Sequence, residues 1–178
     1  MKDKIAVDSQ TLTYLIQSAE PGYNPLNDSQ RNVAKERESI FHIFLRVDIM
    51  YVPPTVKKQY MEISKDIEFR NSHKIFNSIH FEDIDGINKT EVEELKNRFL
   101  ISHKKESDCY AVAEAEIGKM DYFLTFDKDL RNHLINETKL KILFPSDYCK
   151  ILKDLNIAPR KIPRESNPKS KEAWWKKP

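Results

Sequence analysis

Ser107-Asp108-Cys109-Tyr110-Ala111-Val112-Ala113-Glu114-Ala115-Glu116-Ile117-Gly118-Lys119-Met120-Asp121-Tyr122-Phe123-Leu124-Thr125-Phe126-Asp127 carries a helix, a turn and a strand that runs into a carboxylate. Ser107 has the chemistry of an N-cap, since its hydroxyl can accept from a backbone N–H that the first helical turn leaves unsatisfied. The spacing predicts a helix over 108–117. Ala111, Val112 and Ala115 follow Asp108 at i+3, i+4 and i+7, so a small apolar face can lie close on a sheet. Gly118 ends that helix, 122–125 reads as a buried strand, and 127–134 as the next helix. A strand that passes a carboxylate and then opens a helix is the repeating junction of an α/β fold.

The rest of the chain alternates in the same way. Residues 4–7 form an apolar run stopped by Asp8-Ser9, after which Leu12, Leu15 and Ile16 recur at helical spacing. Pro21-Gly22-Tyr23-Asn24-Pro25 breaks the chain. Asp28-Ser29 offer caps for a helix carrying Val33, Ile40, Phe41, Phe44 and Leu45 on its apolar face. A strand is expected over 48–52, halted by Pro53-Pro54, and a helix from Thr55 with Val56, Tyr60, Ile63 and Ile67 as its buried stripe. A short helix is expected over 72–79 and an acidic turn at Glu82-Asp83-Ile84-Asp85-Gly86. Thr90-Glu91-Val92-Glu93 has the form of a capping box opening a helix to about residue 101. A last strand, 140–144, precedes a helix from Ser146. The pattern predicts an α/β three-layer sandwich: a mainly parallel central sheet with helices on both faces.

In such sheets ligands bind outside the carboxyl ends of the strands. Asp8, Asp108 and Asp127 all fall at strand exits or helix openings, and are expected to converge closely enough to share one ion. Carboxylates brought together repel unless a cation separates them. Hard oxygen donors suit Mg²⁺ or Mn²⁺, and an open carboxylate site of this kind serves phosphodiester hydrolysis.

Composition bounds this expectation. The 178 residues are enough for one core, and the net charge of +2 exerts no global pull on nucleic acid. The distribution is uneven. Residues 159–178 hold seven Lys or Arg against two Glu, a net of +5, which leaves −3 on residues 1–158. Residues 1–158 are therefore expected to form the nuclease domain, and 159–178 a basic, proline-rich tail in which Lys171, Trp174, Trp175, Lys176 and Lys177 contact phosphates and bases. Cys109 and Cys149 lack zinc-ribbon or disulfide spacing and read as buried thiols. No apolar run is long enough to span a membrane, no signal-peptide core follows Met1, and a cytoplasmic protein is expected. His42, His73, His80, His103 and His133 show no ligand spacing. His42 and His133 read as helical, the others as surface or loop residues. Asp66, Glu114 and Glu116 read as solvent-facing charges. Asp8, Asp108, Asp127 and Asp129 also have a purely structural explanation, as helix caps or first-turn dipole partners.

Four segments in order give the chain a resemblance to the PIN-domain nucleases, a family that includes ribonuclease toxins of toxin–antitoxin pairs. They are Val7-Asp8-Ser9 with Leu12, Val52-Pro53-Pro54-Thr55-Val56, Ser107-Asp108 with its alanine-rich helix, and the 118–130 segment containing Leu124-Thr125-Phe126-Asp127. The resemblance covers about residues 4–155. It implies Asp8, Asp108 and Asp127 as catalytic metal ligands for Mg²⁺ or Mn²⁺, with Ser9, Thr125 and Asp129 supporting them. The family's usual second acid is replaced by Gln59, which offers only a neutral amide, and Glu62 one turn on could supply the missing ligand. An RNA substrate, an antitoxin protein and a homodimer follow from the resemblance. Two other functions fit the same residues: an RNA-binding or scaffold protein weakened in catalysis by Gln59, and a nuclease for structured DNA or RNA maturation.

Overall fold

The computed structural model describes residues 3–19, 31–44, 50–63, 81–84 and 86–155. Their strands are β1 (Ile5–Val7), β2 (Met50–Val52), β3 (Phe81–Asp83), β4 (Tyr122–Leu124) and β5 (Lys141–Leu143). Their helices are α1 (Ser9–Ala19), α2 (Arg31–Phe44), α3 (Pro54–Ile63), α4 (Lys89–Phe99), α5 (Glu106–Ile117), α6 (Lys128–Leu134) and α7 (Pro145–Asp154).

The five strands form one sheet in the order β3-β2-β1-β4-β5, and every pairing is parallel. β1 lies at the centre because Ile5, Ala6 and Val7 have no polar side chain to solvate, and all three are fully buried. Ala6 pairs with Tyr51 on one side and Phe123 on the other. The chain moves from β1 out to β2 and β3, then returns to β4 on the opposite flank of β1. Right-handed crossovers place helices of the two excursions on opposite faces of the sheet. The direction of winding changes between β1 and β4. Such a reversal opens a crevice at the carboxyl ends of the two strands.

The α/β architecture and parallel sheet agree with the sequence pattern, with informative differences. Phe81–Asp83, of which Glu82 and Asp83 were expected in an acidic turn, is an edge strand in register with β2, Val52 opposite Asp83. α4 starts at Lys89, before Thr90. Its cap is Asn88, whose side chain accepts from the Thr90 N–H at 3.0 Å and donates to Glu91 at 2.7 Å. α5 starts at Glu106, so Ser107 lies in its first turn and Lys105 occupies the N-cap. The break at 21–25, the caps Asp28-Ser29, Leu45, Ile67, the helix over 72–79, His73, His80 and the 159–178 tail lie outside the described residues.

Gly118 does end α5, though left-handed geometry is not the reason. Its φ is −71°, and a Cβ there would sit 2.2 Å from Cγ2 of Ile84, so the constraint is close packing against the residue after β3. Lys119 takes the left-handed position, with φ 58°. The N–H groups of Lys119 and Met120 bond the carbonyls of Glu116 and Ala115, each at 3.0 Å, which completes a Schellman motif with lysine where glycine is usual. Cys109 and Cys149 are free and buried, as expected. Among the described residues no helix is long and apolar enough to cross a membrane.

Candidate carboxylate site at the strand exits

β1 delivers Asp8 into the crevice and β4 delivers Thr125 and Asp127. The two loops are tied together by hydrogen bonds. The Asp8 N–H donates to the Leu124 carbonyl at 3.1 Å, and the Thr11 hydroxyl donates to the same carbonyl at 3.2 Å. Asp8 Oδ1 accepts from the Thr11 N–H at 2.6 Å, which makes it a cap for α1, and Oδ2 accepts from the Thr125 hydroxyl. Thr125 Oγ1 in turn accepts from the Asp127 N–H at 2.9 Å.

Asp8 and Thr125 are buried. Burial pushes the Asp8 carboxyl above its ordinary pKa, since the charged form loses solvation. Hydrogen bonds from Thr11 and Thr125 work the other way, and the negative charge of Asp108 adds to the rise. The pair Asp8 and Asp108 is therefore close enough to repel. Asp127 caps α6, its Oδ1 accepting from the N–H groups of Asp129 at 2.8 Å and Leu130 at 3.0 Å. The capping explanation of both Asp8 and Asp127 is correct as far as it goes. Asp108 and Asp129, in the first turns of α5 and α6, likewise sit where the helix dipole favours a carboxylate, which leaves the electrostatic coupling of the group to be explained.

Asp108 is buried in the first turn of α5. Its Oδ1 lies 2.9 Å from Lys105 Nζ and 3.4 Å from Ser107 Oγ, and its Oδ2 lies 3.2 Å from His103 Nε2. Burial works against the charge on Lys105. The hydrogen bond to Asp108 and the charges of Asp108, Asp127 and Asp8 outweigh it and hold the lysine above its ordinary pKa. One ammonium thus feels all three expected ligands.

His103 lies in the loop between α4 and α5, one of the two positions expected for it, but is buried there, and its Nδ1 lies 3.1 Å from Nδ1 of His133. With Asp108 ionised, His103 Nε2 must carry the proton of their hydrogen bond. Cys109 sits beside this group, but burial, with the Asp108 charge next in size, pushes its thiol up to about 11, which leaves it a poor nucleophile.

The remaining expected residues are less central. Gln59 is half-buried on α3. Glu62 is exposed and 3.9 Å from Lys58, an ion pair along the outer side of α3, so a role for it as ligand has no geometric support. Ser9 begins α1, its carbonyl accepting from the Thr13 hydroxyl at 2.8 Å. Asp129 is exposed. Lys171, Trp174, Trp175, Lys176 and Lys177 lie outside the described residues. Glu114, expected to face solvent, is buried: its Oε2 accepts from the Thr55 N–H at 2.9 Å and its Oε1 from the Thr55 hydroxyl at 2.8 Å. Glu116 accepts from the Thr138 hydroxyl and from the Lys139 N–H at 2.9 Å.

The donor set suits a hard divalent cation. Asp8, Asp108 and Asp127 offer carboxylate oxygens, and one ammonium, that of Lys105, pairs with Asp108. Among the described residues no three His, Cys, Asp or Glu side chains are grouped so that they could hold a metal ion, so the expected convergence on one shared ion is not seen. Mg²⁺ tolerates such a site, since it is usually held by one or two carboxylates and keeps several waters.

Sequence reasoning missed Lys105, His103, Thr11 and Glu114. Only Thr11, three residues after Asp8, left a signal, the spacing at which a cap accepts from a backbone N–H. Fold and edge together define an α/β protein with an open carboxylate site at the β1–β4 switch point. No protein-family model and no curated protein matches the chain.

Proposed function

We propose that this protein is a metal-dependent endoribonuclease that hydrolyses RNA phosphodiesters at the β1–β4 crevice. The observation that carries this reading is the coupling of Asp8, Asp108 and Asp127 to one ammonium at the switch point. A bound Mg²⁺ or Mn²⁺ supplies a more acidic water and charge stabilisation at a phosphate in transfer. Asp8, Asp108 and Asp127 would hold it. Thr11 and Thr125 fix both oxygens of Asp8, and His103 and Lys105 orient Asp108. The openings of α1 and α5 add backbone N–H groups whose partial positive charge favours a phosphate near these carboxylates. The toxin role, with an antitoxin partner, rests on the PIN resemblance alone, as does the homodimer, and a cytoplasmic location is part of the same proposal.

The test is cleavage of a labelled RNA in Mn²⁺, with and without chelator, by the wild-type chain and by Asp108→Asn. Cleavage that needs the metal and falls by about 100-fold or more in the variant supports the reading. Wild-type rates from Asp108→Asn would overturn it.

One observation favours a second reading. With Gln59 neutral and Glu62 directed to Lys58, α3 contributes no carboxylate to the edge, as expected of an RNA-binding or scaffold protein with weakened catalysis. RNA binding without cleavage at any Mn²⁺ concentration would select it.

A further inference from the structure

We propose that His133 is a positioning residue: its Nδ1–H donates to Nδ1 of the buried His103 and holds that ring with its Nε2–H turned to Asp108. The inference rests on the nuclease reading only for the use made of Asp108.

The surroundings of His103 leave its ring little choice. The His103 N–H donates to the Phe99 carbonyl at 2.9 Å, and its carbonyl accepts from the Cys109 thiol at 3.2 Å. The loop between α4 and α5 is thereby tied to both helices, with the His103 side chain only 8% exposed. A neutral imidazole has one N–H and one lone pair, and in the interior each needs a partner. Nε2 lies 3.2 Å from Asp108 Oδ2, an oxygen that only accepts when the carboxyl is ionised, so the N–H is on that side. Nδ1 is then the lone pair. It faces Nδ1 of His133 at 3.1 Å, and a hydrogen bond between two nitrogens needs one proton between them. That proton belongs to His133.

One contact thus fixes the tautomer of both rings. His133 lies in the last turn of α6 and is exposed, so water can satisfy either of its nitrogens. The ring that gains is His103, whose lone pair would otherwise be buried without a donor. The effect reaches Asp108, since Lys105 and Ser107 occupy its Oδ1 and His103 its Oδ2. Cohesion of this seam does not depend on His133. Arg98 Nη2 donates to the Glu137 carbonyl at 3.0 Å and fastens the end of α4 to the residues after α6.

The experiment uses the isotopically labelled full-length chain at about pH 8, above the ordinary histidine pKa. Long-range proton–nitrogen correlation spectra identify each tautomer without the labile proton. Wild type is expected to show His103 as the Nε2–H form and His133 as the Nδ1–H form. His133→Leu removes the donor, and His133→Asn places an amide N–H where Nδ1 stood. Exchange of the His103 Nε2 proton should quicken about five-fold or more in His133→Leu and stay within about two-fold of wild type in His133→Asn, with RNA cleavage falling in the same order. Wild-type His133 in the Nε2–H form overturns the proposal, and that result needs no variant to fold. So does unchanged exchange in His133→Leu, or an equal change in both variants, which marks a merely structural contact. A wild-type chain that cleaves no RNA overturns the nuclease reading, and tautomer and exchange still decide this one.

Discussion

Asp8 and Glu114 are buried carboxylates with the same pair of donors, a backbone N–H and a threonine hydroxyl, yet they lead different lives. Thr55 alone supplies both donors to Glu114, and the carboxylate ties α5 to the opening of α3. Thr11 and Thr125, which are far apart in sequence, supply them to Asp8. Burial raises the pKa of each, and in each the hydrogen bonds oppose the rise. Only Asp8 has a second carboxylate among its causes. The lesson is that satisfied hydrogen bonds do not separate a structural carboxylate from a functional one. The charge beside it is what differs here, since Asp108 adds to the rise at Asp8 and no carboxylate does so at Glu114.

The comparison is broken most directly by activity. Asp8→Asn should lower RNA cleavage by about 100-fold or more, while Glu114→Gln leaves the rate within a few-fold of wild type. Equal losses, measured as kcat/KM at saturating Mn²⁺, would mean that both residues merely hold the fold. The next effect is on stability. Glu114→Ala strands the Thr55 N–H and hydroxyl, and urea unfolding should show a loss of about 1–3 kcal/mol.

Asp8→Asn should move the other way, raising Tm by about 2–4 °C, the shift that about 1 kcal/mol produces in a chain of this size. The sign follows from linkage. A carboxyl whose folded pKa lies above its unfolded one binds protons more tightly in the native state, so its contribution is full below about pH 4 and is lost as pH rises through the folded value. The stability advantage of Asp8→Asn over wild type should accordingly grow across that interval and then level off. An advantage independent of pH would show that Asp8 bears no such cost. The smallest effect is a control remote from both carboxylates. Lys119→Gly relieves the left-handed lysine after α5 and should stabilise by roughly 0.5–1 kcal/mol with no change in cleavage.

These contrasts mark where the amino-acid pattern was informative. β1, β2, β4 and β5 announce themselves as apolar runs stopped by a carboxylate or proline, and the helices by their apolar spacing, because burial leaves a periodic trace. β3 leaves none: Phe81-Glu82-Asp83 is an edge strand two-thirds acidic, and its pairing with Val52 is decided by the neighbouring strand. Asp8 and Asp127 were legible as residues just past a strand, and Asp108 as one at a helix opening, because these junctions break the apolar pattern. Lys105, His103 and Glu114 were not. Their roles depend on where a long side chain ends, which no one-dimensional spacing encodes, and Glu114 looked solvent-facing only because its donor, Thr55, lies 59 residues away.

The hydrogen bond from Thr125 to Asp8 joins residues 117 apart. Bringing such distant segments together carries a loop-closure cost that local contacts do not. During synthesis Asp8 emerges early and remains without its hydroxyl partner until β4 has followed it out. A nascent chain that stops short of Thr125 carries the first carboxylate of the crevice and none of the opposite wall. A chain built this way cannot make the Thr125 to Asp8 hydrogen bond until β4 has been synthesised, and that timing is set by strand order alone.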